Sequence, residues 1–259
     1  MLIKTTLSCK MLCSHCMENA TPAGEHMSME LFEKALAFTE RAECRVIKDK
    51  MPVMMMLSGG ECTDNPHIVE MVQKIARRGW VVTLLTHGLW LDNKELRDRI
   101  LRDDDWTRAY ILVQVTNDDR YYPRKPPKFE HPRVHYVDRL LVLSTIGRAA
   151  GPKFNPNGLN PRMAPSSFNF RSLTHSTGSI TSAIQLLRVR GMLGKSGFCT
   201  PSVSHDGTVV AGESRFCYPI GTVDSTNDEL TQAVLHMGSC NHCGQEEFLG
   251  PRHKQAIGI

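Results

Sequence analysis

The chain opens Met1-Leu-Ile-Lys-Thr-Thr-Leu7-Ser-Cys9-Lys-Met-Leu-Cys13-Ser-His-Cys16, and the rest of the sequence is read outward from this stretch. Residues 2–7 predict a short strand that runs directly into a loop carrying three cysteines spaced C-x3-C-x2-C. Three thiolates this close can hold one face of a small metal centre. A purely structural site normally closes its coordination with protein groups. The array therefore leaves one position for a ligand that the loop does not supply, and an open position on a metal is where a substrate binds.

The composition sets bounds on the whole chain. Its 259 residues, 41% hydrophobic and 22% charged, are enough for one large domain or one domain with a small appendage. A net charge of +4 is too mild to argue for nucleic acid or a membrane surface as partner. No apolar run has the length of a membrane span. Lys4, Thr5 and Thr6 interrupt the opening, so no signal peptide is expected and a cytoplasmic, thiol-preserving compartment is. Of nine cysteines, seven form two groups, one at each end of the chain: Cys9, Cys13 and Cys16, then Cys199, Cys217, Cys240 and Cys243. Grouped cysteines in a reducing compartment point to metal rather than to disulfides. Cys44 and Cys62 stand apart and are read as small buried hydrophobes.

A strand–helix alternation follows the first loop. Ser28 caps a helix predicted over Met29–Ala42. Residues 52–57, Pro-Val-Met-Met-Met-Leu, are apolar throughout and suit a central parallel strand buried on both faces. Ser58-Gly59-Gly60-Glu61 ends it. Asn65 is read as the next helix cap with Pro66 in the first helical position, and Gly79 as its stop. Further strands are expected at residues 80–85, ending at Thr86-His87-Gly88, and at 110–115, ending at Thr116-Asn117-Asp118, with a helix over 93–101 between them. A fifth strand is expected at 139–144, ending near Arg148. Such alternation implies a parallel sheet, whose ligands collect at the carboxyl ends of its strands. The polar clusters of five separate segments fall at those ends, around one site.

Two stretches interrupt the alternation. Residues 118–133 hold five basic residues, Tyr121, Tyr122 and four prolines, and are read as a solvated loop in preference to a substrate contact. Residues 149–179 resemble a lid or binding loop in composition and could hide a strand at 167–173. Helical spacing returns over 180–189. Beyond it, residues 199–210 predict a hairpin with Asp206-Gly207 at the turn. His205 and Asp206 receive no catalytic role. A helix is expected near 227–236. Cys199, Cys217 and the closing Cys240-x2-Cys243 complete a four-thiol site that suits zinc or an iron–sulfur cluster.

Cys9-x3-Cys13-x2-Cys16 after a first strand, with Gly59-Gly60-Glu61 after a second, resembles the radical S-adenosylmethionine superfamily. The resemblance covers residues 1 to about 150. It implies a partial (β/α)6 TIM-like barrel over residues 1–190. Cys9, Cys13 and Cys16 would ligate a 4Fe–4S cluster whose fourth iron binds S-adenosylmethionine. Gly59, Gly60 and Glu61 would meet the methionine amino group. Thr86-His87-Gly88 stands where many members carry Thr-Asn-Gly. Thr116 would touch the cofactor, and Arg148 would pair with its carboxylate. His15 takes the place of the aromatic residue before the third cysteine. Residues 191–259, a hairpin plus a helix, resemble the small twitch/SPASM-like auxiliary domain, in which Cys199, Cys217, Cys240 and Cys243 bind a second 4Fe–4S cluster.

The resemblance implies reductive cleavage of S-adenosylmethionine and removal of a hydrogen from a substrate. A fully ligated second cluster suits electron transfer, and hence net oxidation of a peptide, a protein or a small molecule. A flavodoxin- or ferredoxin-like electron donor is implied as partner. Only eight residues precede Cys9, so a peptide substrate is expected to need another docking surface or a partner protein. A non-catalytic iron–sulfur or zinc protein is the alternative of another class, and Gly59-Gly60-Glu61 argues against it.

Overall fold

The computed structural model of the chain describes residues 1–42, 53–101, 111–117, 122–137, 148 and 201–237. Its centre is β1 (Leu2–Thr6), buried at all five positions. On one side β1 pairs in parallel with β2 (Met54–Gly59), followed by β3 (Val81–Thr86), β4 (Ile111–Thr116) and β5 (Val134–Val137), again all in parallel. On its other side lies β6 (Ser202–Val203), also parallel, with β7 (Thr208–Val210) and β8 (Pro219–Thr222) added antiparallel. The order is β5-β4-β3-β2-β1-β6-β7-β8. The fold is thus mixed α/β with a large, mostly parallel sheet that is open among the described residues.

Helices α1 (Met29–Ala42), α2 (Ile68–Arg77), α3 (Lys94–Ile100) and α4 (Asn227–Met237) complete the described elements. Side chains alternate along a strand, so Ile3, Met55, Leu57, Val82, Leu84, Val113 and Val203 share one sheet face. They form a single core with Phe32, Ala35 and Leu36 of α1 and Met71, Val72 and Ile75 of α2. Each such large aliphatic side chain removed from water contributes roughly 2 kcal/mol. Sequence cues set the helix ends. The Ser28 hydroxyl accepts from the Leu31 amide at 3.2 Å, and α2 gives way to Gly79 at φ +70°. Thr226 and Glu229 close a reciprocal capping box on α4.

Three expectations change. The methionine run is not buried on both faces: Met55 is fully buried while Met54, on the opposite face, is 59% exposed. Helix α2 begins at Ile68, later than expected, with His67 in the cap position. Asn65 keeps the expected capping bond, its Oδ1 accepting from the His67 amide at 2.9 Å, while its Nδ2 donates to the carbonyls of Thr5 at 2.7 Å and Met27 at 3.1 Å, stitching β1 to the approach of α1. The strand that pairs with β4 is Val134–Val137, ahead of the expected position; residues 139–144 themselves lie outside the described ones. The features read at 167–173 and 180–189, with Cys44, Cys199, Cys240 and Cys243, also lie outside. The hairpin with its Asp206-Gly207 turn forms as read, and β6 joins it to the main sheet through β1.

Candidate metal and cofactor site

The site begins where β1 and β2 end side by side. Gly59 has φ +135°, a conformation open to glycine, and a Cβ there would stand 2.2 Å from the Thr6 carbonyl oxygen. A Cβ on Gly60 would stand 2.3 Å from the Ser8 carbonyl oxygen and 2.8 Å from the Ala20 Cβ. The Gly60 and Glu61 amides donate to the carbonyls of Thr6 and Ser8, each at 2.8 Å. The glycine pair therefore lets the end of β2 lie directly against the start of the cysteine loop. The close approach that requires glycine here is backbone to backbone.

Glu61 is 1% exposed. Its Oε1 accepts from the Thr63 amide at 3.1 Å, the Thr63 hydroxyl at 2.7 Å and the Thr86 hydroxyl at 2.8 Å. Its Oε2 accepts from the His87 amide at 3.0 Å and lies 3.2 Å from His87 Nε2. The Leu89 amide donates to His87 Nδ1 at 3.1 Å, and this pattern assigns the ring proton to Nε2, facing Glu61. The carboxylate thus ties the end of β2 to the end of β3 and caps the short turn Cys62–Asp64. Burial of Asp64, together with the Glu61 charge, pushes its carboxyl up. Cys62 is the small buried residue expected, its thiol aimed at Glu61 Oε1 and the Leu85 carbonyl.

The three N-terminal cysteines share one loop. Cys9 is buried, and Cys13 and Cys16 are half-buried. Burial, then the charges of Glu61 and Cys16, raises the Cys9 thiol to about 11. Burial, then Cys9 and Cys16, raises Cys13 to about 12. Leu12, between them, holds φ +53° with its side chain 53% exposed, a left-handed conformation that costs a leucine about 1 kcal/mol or more. Arg148 clamps the loop: its Nε donates to the Cys13 carbonyl at 2.9 Å, its Nη1 to the Ala20 carbonyl at 2.8 Å, and its amide to the Cys16 carbonyl at 3.0 Å.

The donor set fits an iron–sulfur centre or another thiophilic ion. It consists of three thiols within eight residues on a loop with a left-handed leucine, and a thiophilic cation would favour their deprotonated form. Among the described residues, no three Cys, His, Asp or Glu side chains stand as a preformed ion cage. Of the expected cofactor contacts, Arg148 bonds the Cys9–Cys16 loop directly, Gly60 and Glu61 bond Thr6 and Ser8 just before it, Gly59 packs against Thr6, and Thr86 bonds Glu61. Thr116 ends β4, beside Thr86 of β3, with which Val115 pairs.

Cys217 lies on a loop laced to the far side of the same cysteine segment. The Ser214 hydroxyl donates to the Met17 carbonyl at 2.9 Å, and the Arg215 amide to Glu18 Oε2 at 3.1 Å. Glu18 is also 3.7 Å from Lys4 Nζ, which donates to the Ser202 hydroxyl at 3.0 Å. Burial pushes this lysine down and this glutamate up. A lysine inside a strand was the only sequence sign of that buried pair.

No family model matches the sequence, and a comparison with curated proteins gives no match. Among the described residues no helix is long and apolar enough to cross a membrane.

Proposed function

We propose that the chain is a radical S-adenosylmethionine enzyme, its sheet forming part of a (β/α)6 TIM-like barrel over residues 1–190, with an auxiliary cluster domain over 191–259. The observation that carries this reading is the bonding of Gly60 and Glu61 to Thr6 and Ser8, which lead directly into the Cys9–Cys16 loop, at adjoining carboxyl ends of parallel strands. Two motifs separated by more than forty residues in the chain are thereby one structural unit. In this reading Cys9, Cys13 and Cys16 hold a 4Fe–4S cluster. The chemistry supplied by that cluster with S-adenosylmethionine is reductive cleavage to a 5′-deoxyadenosyl radical, which takes a hydrogen from the substrate. The chain's own residues orient and exclude water. Arg148 fixes the loop's carbonyls, Glu61 locks the ends of β2 and β3, and the glycine pair keeps the loop seated.

Cys217, with Cys199, Cys240 and Cys243, would hold a second 4Fe–4S cluster that passes an electron on. This favours oxidation of a peptide or protein, or else of a small molecule, with a flavodoxin- or ferredoxin-like donor in the cytoplasm. A second reading is favoured by one specific observation: the Glu61 carboxylate is already bound within the chain, so Gly59-Gly60-Glu61 has a structural use without any cofactor amine. That reading is a non-catalytic iron–sulfur or zinc protein. One experiment separates the two. The anaerobically reconstituted chain is reduced with dithionite and given S-adenosylmethionine. Formation of 5′-deoxyadenosine supports the enzyme, and none from chain with its iron intact supports the redox or structural protein.

A further inference from the structure

Tyr122 belongs to a stretch whose composition reads as solvated loop, yet the fold returns it to the cysteines. Its ring stacks on His15 with centroids 5.4 Å apart and planes 25° from parallel. It packs, with Leu89, Cys13 and Cys16, on the small apolar cluster of Cys9, Met11 and Ala20. Burial holds the phenol in its neutral form. Two residues on, Arg124 Nη2 donates to the Lys10 carbonyl at 3.0 Å, so this segment grips the loop at both ends. An aromatic ring held on its face and through its chain neighbour has little freedom to swing away.

We propose that Tyr122 is the positioning residue of the cysteine loop: its ring, stacked on His15 and packed on the Cys9–Met11–Ala20 cluster, covers the loop and governs what reaches Cys13 and Cys16. With an iron–sulfur centre in the loop the same ring shields it from small oxidants and fixes its surroundings; that half rests on the reading above. The shielding itself does not.

The test uses the full-length, reduced, metal-free chain, labelled with iodoacetamide and read by mass spectrometry at each cysteine. Tyr122→Leu, similar in bulk but without the ring, is expected to speed labelling of Cys13 and Cys16 at least tenfold. Tyr122→Phe is expected to restore the wild-type rate within about twofold. Fully buried Cys62 serves as internal control, since its labelling reports loss of the fold. If Tyr122→Leu exposes Cys62, His15→Leu, which removes the other ring of the stack, is expected to give the same rise with Cys62 still protected. Wild-type rates in both leucine variants, or a Tyr122→Phe rate equal to that of Tyr122→Leu, would overturn the proposal. In the iron-loaded chain, Tyr122→Leu is expected to bleach in air several-fold faster than Tyr122→Phe. A chain that takes up no iron defeats the iron–sulfur reading and leaves the labelling result standing.

Discussion

Two segments meet at the carboxyl ends of β1 and β2, and they are built in opposite ways. The Gly59–Glu61 segment is complete in itself. Its glycines are filled by neighbouring backbone, and its carboxylate is bound from two sides by Thr63, Thr86 and His87. The cysteine loop is incomplete. Its Cys9 and Cys13 thiols are raised, chiefly by burial, one of its residues is left-handed, and its carbonyls are held from outside by Arg148 and Arg124. The contrast separates frame from working part. Where polar groups satisfy one another the sequence builds a scaffold, and the grouped thiols are where the proposed metal centre would sit.

The largest effect should come from breaking the complete half. Glu61→Ala leaves buried donors of Thr63, Thr86 and His87 without an acceptor and is expected to cost about 3–5 kcal/mol in urea unfolding. An unchanged midpoint would mean that Glu61 is not the strand tie described here. Gly60→Ala drives a Cβ into the Ser8 carbonyl and is expected to cost about 3 kcal/mol, because the obstacle is backbone and cannot rotate away. It should also displace the cysteine loop, which reduced iron uptake after anaerobic reconstitution would report.

The pH response should distinguish the incomplete half. In the metal-free chain Cys9 and Cys13 are raised to about 11 and about 12. The unfolded chain gives up these protons first and so binds fewer of them than the native chain above about pH 9. Their contribution is therefore whole below about pH 9 and is lost as pH rises toward 12, by about 2 kcal/mol once screening of partly exposed groups is allowed for. Thermal unfolding across this range checks it. A metal-loaded chain, with its thiolates bound, should instead lose stability as pH falls. Arg148→Ala should give the smallest effect, about 1–2 kcal/mol, since its bonds lie partly in solvent. Its more telling result would be faster iodoacetamide labelling of Cys13, whose carbonyl it holds.

Much of the scaffold was legible because it is written in local patterns. Helix α1 forms over the residues its periodicity marked, the Asp206-Gly207 hairpin forms as its turn chemistry requires, and the polar clusters Gly59–Glu61 and Thr86–Gly88 do sit at adjacent strand ends. What misled were residues whose local role competes with a distant one. Asn65 has the chemistry of a helix cap and its oxygen does accept from the His67 amide, but its Nδ2 is also taken by two carbonyls from β1 and the α1 approach, and α2 begins only at Ile68. Val134–Val137 is four residues long beside a proline-rich stretch, too short for periodicity to stand out, and becomes a strand because β4 offers it a partner.

By itself the sequence determined the parallel α/β arrangement and the grouping of Cys9, Cys13 and Cys16, because strand–helix alternation and cysteine spacing act over a few residues. Only the tertiary structure decided that Glu61 is bound from within, that Arg148 and Arg124 clamp the cysteine loop, that Tyr122 covers it, and that the loop bearing Cys217 is laced to Met17 and Glu18. These contacts join residues far apart in the chain, from Glu61–Thr86 at 25 positions to Met17–Ser214 at 197. Hydrogen-bonding groups of this kind can satisfy many alternative partners. The partners they take are set by which strand ends the sheet order brings together.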